Sequence, residues 1–317
     1  IVLQEMAARL GIITQKGLAD VIKKELKTPW VQNLVIGIIL GAIVFGNAAY
    51  EAGNIGGASL GLEAIFGPEY TTYYPLCIGV CAFFLLYIGN YKVLERVLVS
   101  LVLVMSISFV VTAFITKPDI AQIIKGLLLP KVPKNSILTI IALVGTTVVP
   151  YNLFLHASLV KERWNKSQDL KLARKDTFIS IILGGLVSMA IIVSAAAIPF
   201  GDISNAADLA QSLAPLYGDF SKYFLALGLF AAGITSAIRA PLAAAYVAKG
   251  CLGWKGGLKS KQFRIVWIVI LFLGVLFSSI GIKPIEIIKF AQVANGMLLP
   301  VIAGILLWIM NKKSVLG

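Results

Sequence analysis

Histidine occurs once in this 317-residue chain, cysteine three times, and charged side chains make up only 14% of it. Each scarcity excludes something. A structural or catalytic zinc site draws on clustered His, Cys or carboxylate ligands. Cys77 and Cys81 share a helical face, but no histidine or second cysteine pair accompanies them, so they read as small apolar fillers. No phosphate-binding loop, nucleophile elbow or H-E-x-x-H occurs, which leaves an enzyme or an ATP-driven pump without support. The charged fraction is about half that of a soluble domain. Apolar residues are 58% of the chain and fall in runs along its whole length. A hydrophobic core inside a soluble shell is therefore excluded, and the pattern is that of an all-α integral membrane protein.

The runs predict eight full spans, at 30–66, 73–89, 94–116, 135–160, 177–200, 221–248, 263–281 and 285–310. Most are near or above the roughly 20 residues that cross a bilayer, and the first is long enough to tilt or to project past it. Residues 205–217 read as a short surface helix. No soluble domain or long linker interrupts the pattern, so residues 1–317 are expected to form one transmembrane domain. The chain opens with Ile1-Val2-Leu3-Gln4-Glu5-Met6 and turns basic at Arg9. This start reads as the inner end of a span whose beginning is missing.

The net charge of +13 invites a nucleic-acid reading, so its distribution matters. Twenty of the 28 Lys and Arg lie in 9–27, 92–96, 161–175, 249–264 and 312–313, which are alternate connections. That alternation is the positive-inside rule at work. The basic loops are expected to face the cytoplasm, and Pro68-Glu69-Tyr70, Gly201-Asp202 and Asp208 the other side. The basic residues neither form one patch nor alternate with aromatics, so no nucleic-acid partner is expected. With 9–28 inside, the span at 30–66 runs outward and that at 135–160 runs inward.

The span at 135–160 is interrupted at Val149-Pro150-Tyr151-Asn152 and carries His156, the single histidine. Proline removes a backbone donor and blocks the bond to the carbonyl four residues back. Inside a bilayer such freed groups are tolerable only where they line a cavity or bind something. Broken helices at mid-membrane are how many secondary transporters build an ion or substrate site. The residues thus point to a transporter.

Here the chain resembles the Nramp family of divalent-metal transporters, over its whole length. That family's sixth helix reads M-P-H-N-L-Y-L-H, and Val149-Pro150-Tyr151-Asn152-Leu153-Phe154-Leu155-His156 stands in its place. Arg9-Leu10-Gly11-Ile12 with Lys16-Gly17-Leu18-Ala19 is similar to the loop after its second helix, and Gln292-Val293 with Pro300 to its tenth. The resemblance implies an inverted-repeat, ten-helix core shared with sodium-coupled amino-acid transporters, here lacking the first helix and most of the second. It implies a metal ion held between a D-P-G-N segment of helix one, not in this chain, and the turn at Thr146, Val149 and Asn152. Gln292 would complete the shell on closure.

Several positions depart from the pattern. Val149 replaces the family's thioether donor, which favours soft ions, and Tyr151 replaces its first histidine. The backbone carbonyl of Thr146 remains a candidate ligand. Asn295 is a second amide on the tenth helix, without a family precedent. For proton coupling, Glu51 matches the first of two acids on one helix while Asn54 replaces the second, and His156 matches a histidine of the proton pathway. An ionisable group deep in a span marks an ion or proton route by default. Arg239 is unusual on the same ground, and Glu51 is its expected partner; the alternative is a substrate carboxylate.

The leading expectation is proton-coupled uptake of a divalent cation of the manganese or iron type, across a cell membrane of the bacterial inner-membrane kind. The metal and the proton are then substrates, and no cofactor is expected. Two alternatives stay open. Loss of the thioether suits a harder cation such as magnesium, and Arg239 suits an ion-coupled carrier of a small organic solute.

Overall fold

The computed structural model describes residues 1–89, 92–164, 166–197, 206–254 and 256–316, and all regular structure among them is helical. The helices are α1 (Val2–Thr14), α2 (Leu18–Glu25), α3 (Pro29–Phe66), α4 (Tyr74–Ile88), α5 (Lys92–Ile115), α6 (Ile120–Leu128), α7 (Ile137–Thr147), α8 (Pro150–Arg163), α9 (Leu170–Ala196), α10 (Ala206–Ala210), α11 (Ala214–Tyr217), α12 (Ser221–Leu252), α13 (Lys261–Ser278), α14 (Pro284–Met310) and α15 (Lys313–Leu316). Proline sets several of the starts: Pro29, Pro75, Pro150 and Pro284 each occupy a first turn, where the missing N–H would be unpaired anyway. Pro241 and Pro300 lie inside α12 and α14.

Seven stretches among the described residues are long and apolar enough to cross a membrane: 29–66, 94–115, 137–163, 167–196, 208–252, 261–278 and 284–310. The eighth predicted span is α4, whose 15 residues reach only about 22 Å, short of a hydrocarbon core of about 30 Å. The end of the predicted span 177–200 and the predicted outer loop Gly201-Asp202 lie outside the described residues. The predicted surface helix is resolved, within the described residues, as α10, a single 3-10 turn and α11. A second surface helix, α6, was not foreseen. Asp119 caps it by accepting hydrogen bonds from the Ala121 and Gln122 amides at 2.9 and 3.2 Å. Ile120, Ile124, Leu127 and Leu128 are exposed on it, an arrangement suited to the membrane interface.

The centre of the molecule is α3, which packs along α12, α14, α13 and α4. One apolar cluster joins α1, α2, α3, α8, α12 and α14 through Leu10, Ile22, Ile39, Phe154, Ala244 and Ile302. A second joins α3, α4, α12 and α13 through Ile55, Ile78, Ile234 and Trp267. Large apolar side chains also cover the outside, Phe45, Phe114 and Phe290 among them. In water such a surface would be an association liability; in a bilayer it is the solvated face. In the first turn of α1, Glu5 takes both Arg9 and Arg174 of α9, while Arg163 of α8 pairs with Asp176 of α9 at 3.7 Å.

Candidate functional site

The helix at 137–163 is broken as expected, but over two residues only. Val148 (φ −130°, ψ 90°) and Val149 (φ −73°, ψ 124°) are extended, and the helix resumes at Pro150, so Tyr151 is already helical. The cause is local. Pro150 offers no N–H to the Thr146 carbonyl, and the Asn152 amide turns to Val149 O at 3.0 Å. Among the described residues the carbonyls of Gly145, Thr146, Thr147 and Val148 accept no backbone hydrogen bond. The end of α7 therefore presents a cluster of unsatisfied oxygens, the partially negative terminus of a helix.

α14 lies directly against this end. A Cβ placed on Gly145 would sit 2.0 Å from the Gln292 carbonyl oxygen and 2.5 Å from the Gly296 nitrogen. On Gly296 it would sit 2.3 Å from the Ile141 carbonyl oxygen. Only glycine at both positions lets the two backbones touch, the close-approach device of membrane helices. This contact brings the backbone of Gln292 to the last turn of α7, against Gly145. The Gln292 Oε1 is buried and has no hydrogen-bond partner among the described residues.

The other predicted ligands are placed differently. Val149 is 4% exposed and belongs to the apolar cluster with Ile39, Ile43 and Phe154. Asn152 shares a face of α8 with His156, one helical turn on. That face turns towards α1 and α9, because Pro150, Tyr151, Leu153 and Phe154 are buried. Gln4, Asn152, His156, Asp176, Thr177 and Ser180 line a cavity of about 370 Å³ there. His156 Nδ1 lies 2.6 Å from Gln4 Oε1. The nitrogen donates, which leaves Nε2 as the basic position. Asn152 thus stands with the histidine rather than with Gln292.

Glu51 is fully buried on α3. Asn54 Nδ2 donates to its Oε2 at 3.2 Å, so the amide that replaces the family's second acid holds the remaining one. Glu51 Oε1 has no partner among the described residues. Room for the carboxylate comes from Gly274 of α13, where a Cβ would come within 2.3 Å of Glu51 Cγ. Next to it, the ring of Tyr50 meets that of Tyr151 edge to face, with centroids 5.4 Å apart. This contact links the Glu51 turn of α3 to the first turn of α8.

The expected Glu51–Arg239 pair is not formed. Arg239 Nη2 instead donates to Glu95 Oε1 at 2.9 Å, and the two side chains are 56% and 38% exposed. The error is one of depth. Arg239 lies 18 residues past Ser221, the start of α12, or about 27 Å along the axis, nearly a full hydrocarbon thickness. It has therefore reached the level of the first turns of α5, where Glu95 stands, and the remaining 13 residues of α12 run on beyond. With a protein carboxylate in place, a substrate anion is no longer required by Arg239. Sequence reasoning also missed Gln4, Gly274 and Asn47, whose Nδ2 donates to the Ala240 carbonyl at 3.4 Å and ties α3 to α12. Their partners are remote in sequence, and no local signal marks them.

The family model for natural resistance-associated macrophage protein-like (Nramp) sequences matches residues 1–317. The divalent metal cation transporter MntH of Erwinia tasmaniensis is 28% identical over 307 residues, which is 92% of this chain and 70% of that protein. The protein of the same name from Caldanaerobacter subterraneus is 27% identical over 326 residues, covering 99% of this chain and 75% of its own length. Among solved structures, a histidine-to-alanine variant of the Eremococcus coleocola manganese transporter superposes with a TM-score of 0.77 at 20% identity. That match covers all of this chain and 71% of the other. Its inverted-repeat transporter fold is the fold of these helices. The chain belongs to the Nramp family of membrane transporters, which are not enzymes.

Proposed function

We propose that the chain carries a divalent metal cation across a membrane by secondary transport, with the cation seated at the end of α7 beside α14. One observation carries this reading. Pro150 leaves the Thr146 carbonyl without a helical partner, and the Gly145–Gly296 contact brings the backbone of Gln292, whose Oε1 is buried and unpaired among the described residues, against the last turn of α7. Unsatisfied neutral oxygens at a helix C-terminus suit a cation and repel an anion. The names borne by the bacterial relatives agree with that charge sign.

Within this reading the selectivity leans to ions of the manganese or magnesium kind. The ligands that the chain contributes are oxygens, and Val149 offers no sulfur to hold cadmium. Coupling to protons falls to Glu51 and His156. Glu51 is buried, held by Asn54 and joined through Tyr50 and Tyr151 to the start of α8, and His156 opens onto a polar cavity. The membrane is of the bacterial inner-membrane kind, with the basic connections in the cytoplasm.

Reconstitution into liposomes tests the proposal. Manganese uptake should be saturable and faster with an inwardly directed proton gradient, and Gln292→Leu should reduce it. No uptake of manganese, magnesium or cadmium under any gradient would refute it.

A further inference from the structure

α14 carries two amides one turn apart, and each has a buried atom without a partner. One is Gln292 Oε1 and the other is Asn295 Nδ2; neither makes a hydrogen bond among the described residues. Asn295 is only 2% exposed. Folded proteins rarely leave buried polar atoms unpaired, and two in succession on one helix call for a partner that the described residues do not supply. Residues three apart lie on the same side of a helix, so the two amides face the same region. The helix cannot easily turn away, because Gly296 is in backbone contact with Ile141 of α7. The neighbouring helix supplies no partner either. Opposite Asn295 stands Gly46 of α3, whose missing Cβ would lie 3.7 Å from Asn295 Oδ1.

We propose that Asn295 is a second amide donor to the transported cation, beside Gln292. The proposal rests on the reading of this place as the cation's seat and deepens it. A half-turn about the last torsion of an asparagine exchanges its oxygen and nitrogen while the rest of the residue stays in place. Asn295 then presents oxygen, and with Gln292 Oε1 and the Thr146 carbonyl it completes a set of neutral oxygens from α7 and α14. Neutral oxygen donors are the choice of hard divalent cations. Asn295 thereby helps to replace, in kind rather than in strength, the soft ligand that Val149 does not provide. A water molecule bridging the two amides would satisfy the same atoms, and the test separates the two cases.

The full chain in lipid nanodiscs is titrated calorimetrically with manganese, magnesium and cadmium chlorides, as wild type, Asn295→Leu and Asn295→Asp. Asn295→Leu should weaken manganese and magnesium binding by about tenfold or more, at least the effect of disturbing a metal site's outer ligands. Cadmium binding should change less, and the melting temperature should not fall, since the leucine removes an unpaired donor. Asn295→Asp, which keeps the oxygen and adds charge, should tighten manganese binding. Unchanged manganese and magnesium affinity in Asn295→Leu would overturn the proposal while leaving the cation's seat intact. So would an equal loss for all three ions with a lowered melting temperature, the mark of a water-bridged structural role. A wild-type chain that binds none of the three ions would remove the seat itself, and this proposal with it.

Discussion

Replacing Gly145 by alanine is the smallest change that should break the contact on which the site depends. The added methyl carbon would lie 2.0 Å from the Gln292 carbonyl oxygen, 2.5 Å from the Gly296 nitrogen and 3.0 Å from the Gly296 Cα. Comfortable non-bonded separations are about 3.5–4.0 Å, so α7 and α14 must part by more than an ångström. All three obstructing atoms are backbone, so no rotamer change relieves the clash. Overpacking of this kind costs about 1–3 kcal/mol, which corresponds to a melting shift of about 2–4 °C per kcal/mol in a domain of moderate size. Gly184 of α9 is the control, because nothing lies within 4 Å of a Cβ there. Alanine at an open helical position should stabilise by about 0.5–1 kcal/mol, so the two substitutions should move the melting temperature in opposite directions. Thermal melting in lipid and manganese uptake in liposomes are measured for both. Gly145→Ala should lose uptake and melt lower, and Gly184→Ala should retain uptake. If Gly145→Ala melts and transports like the wild type, the backbone contact between α7 and α14 is not part of the site.

Three further outcomes are expected. Val149→Met should raise cadmium uptake relative to magnesium, by bringing a thioether to the break; unchanged relative uptake would show that residue 149 remains in the apolar cluster away from the ion. Glu51→Gln should abolish the dependence of metal uptake on the proton gradient without unfolding the protein, and a retained dependence would remove Glu51 from the coupling route. The Arg239–Glu95 pair is largely exposed, so a double-mutant cycle on melting should give a coupling of only about 0.2–1 kcal/mol. Arg239→Gln and Glu51→Gln should be additive, and a strong coupling between them would restore the pairing that the structure does not show.

The broken helix was legible because its cause is local. Pro150 acts on the carbonyl four residues back, and an apolar run around it tells the reader that no water replaces the lost partner. Spans were legible for the same reason, since length and hydropathy are properties of a single segment. The run at 73–89 matches α4 (Tyr74–Ile88) at both ends, and Gly89, with φ +67°, ends a helix that is shorter than the other spans. α6 was missed because an amphipathic surface helix is too short and too mixed to register as a span. The partners of side chains were the least legible. Arg239 was placed in the middle of a bilayer by counting residues into a helix that is longer than the bilayer is thick. The partnership of Glu51 with Asn54 was within reach of sequence reasoning, being three residues apart on one helix, whereas the glycine that makes room for Glu51 lies 223 positions away.

Locating the cation itself tests the central claim most directly. Crystals of the protein soaked in manganese, with diffraction recorded near the manganese absorption edge, should show one anomalous peak at the end of α7. It should lie within about 2–2.5 Å of both the Thr146 carbonyl oxygen and Gln292 Oε1, the range of oxygen coordination to such ions. A peak elsewhere in the membrane core, with the Thr146 and Gln292 oxygens uncoordinated, would contradict the account.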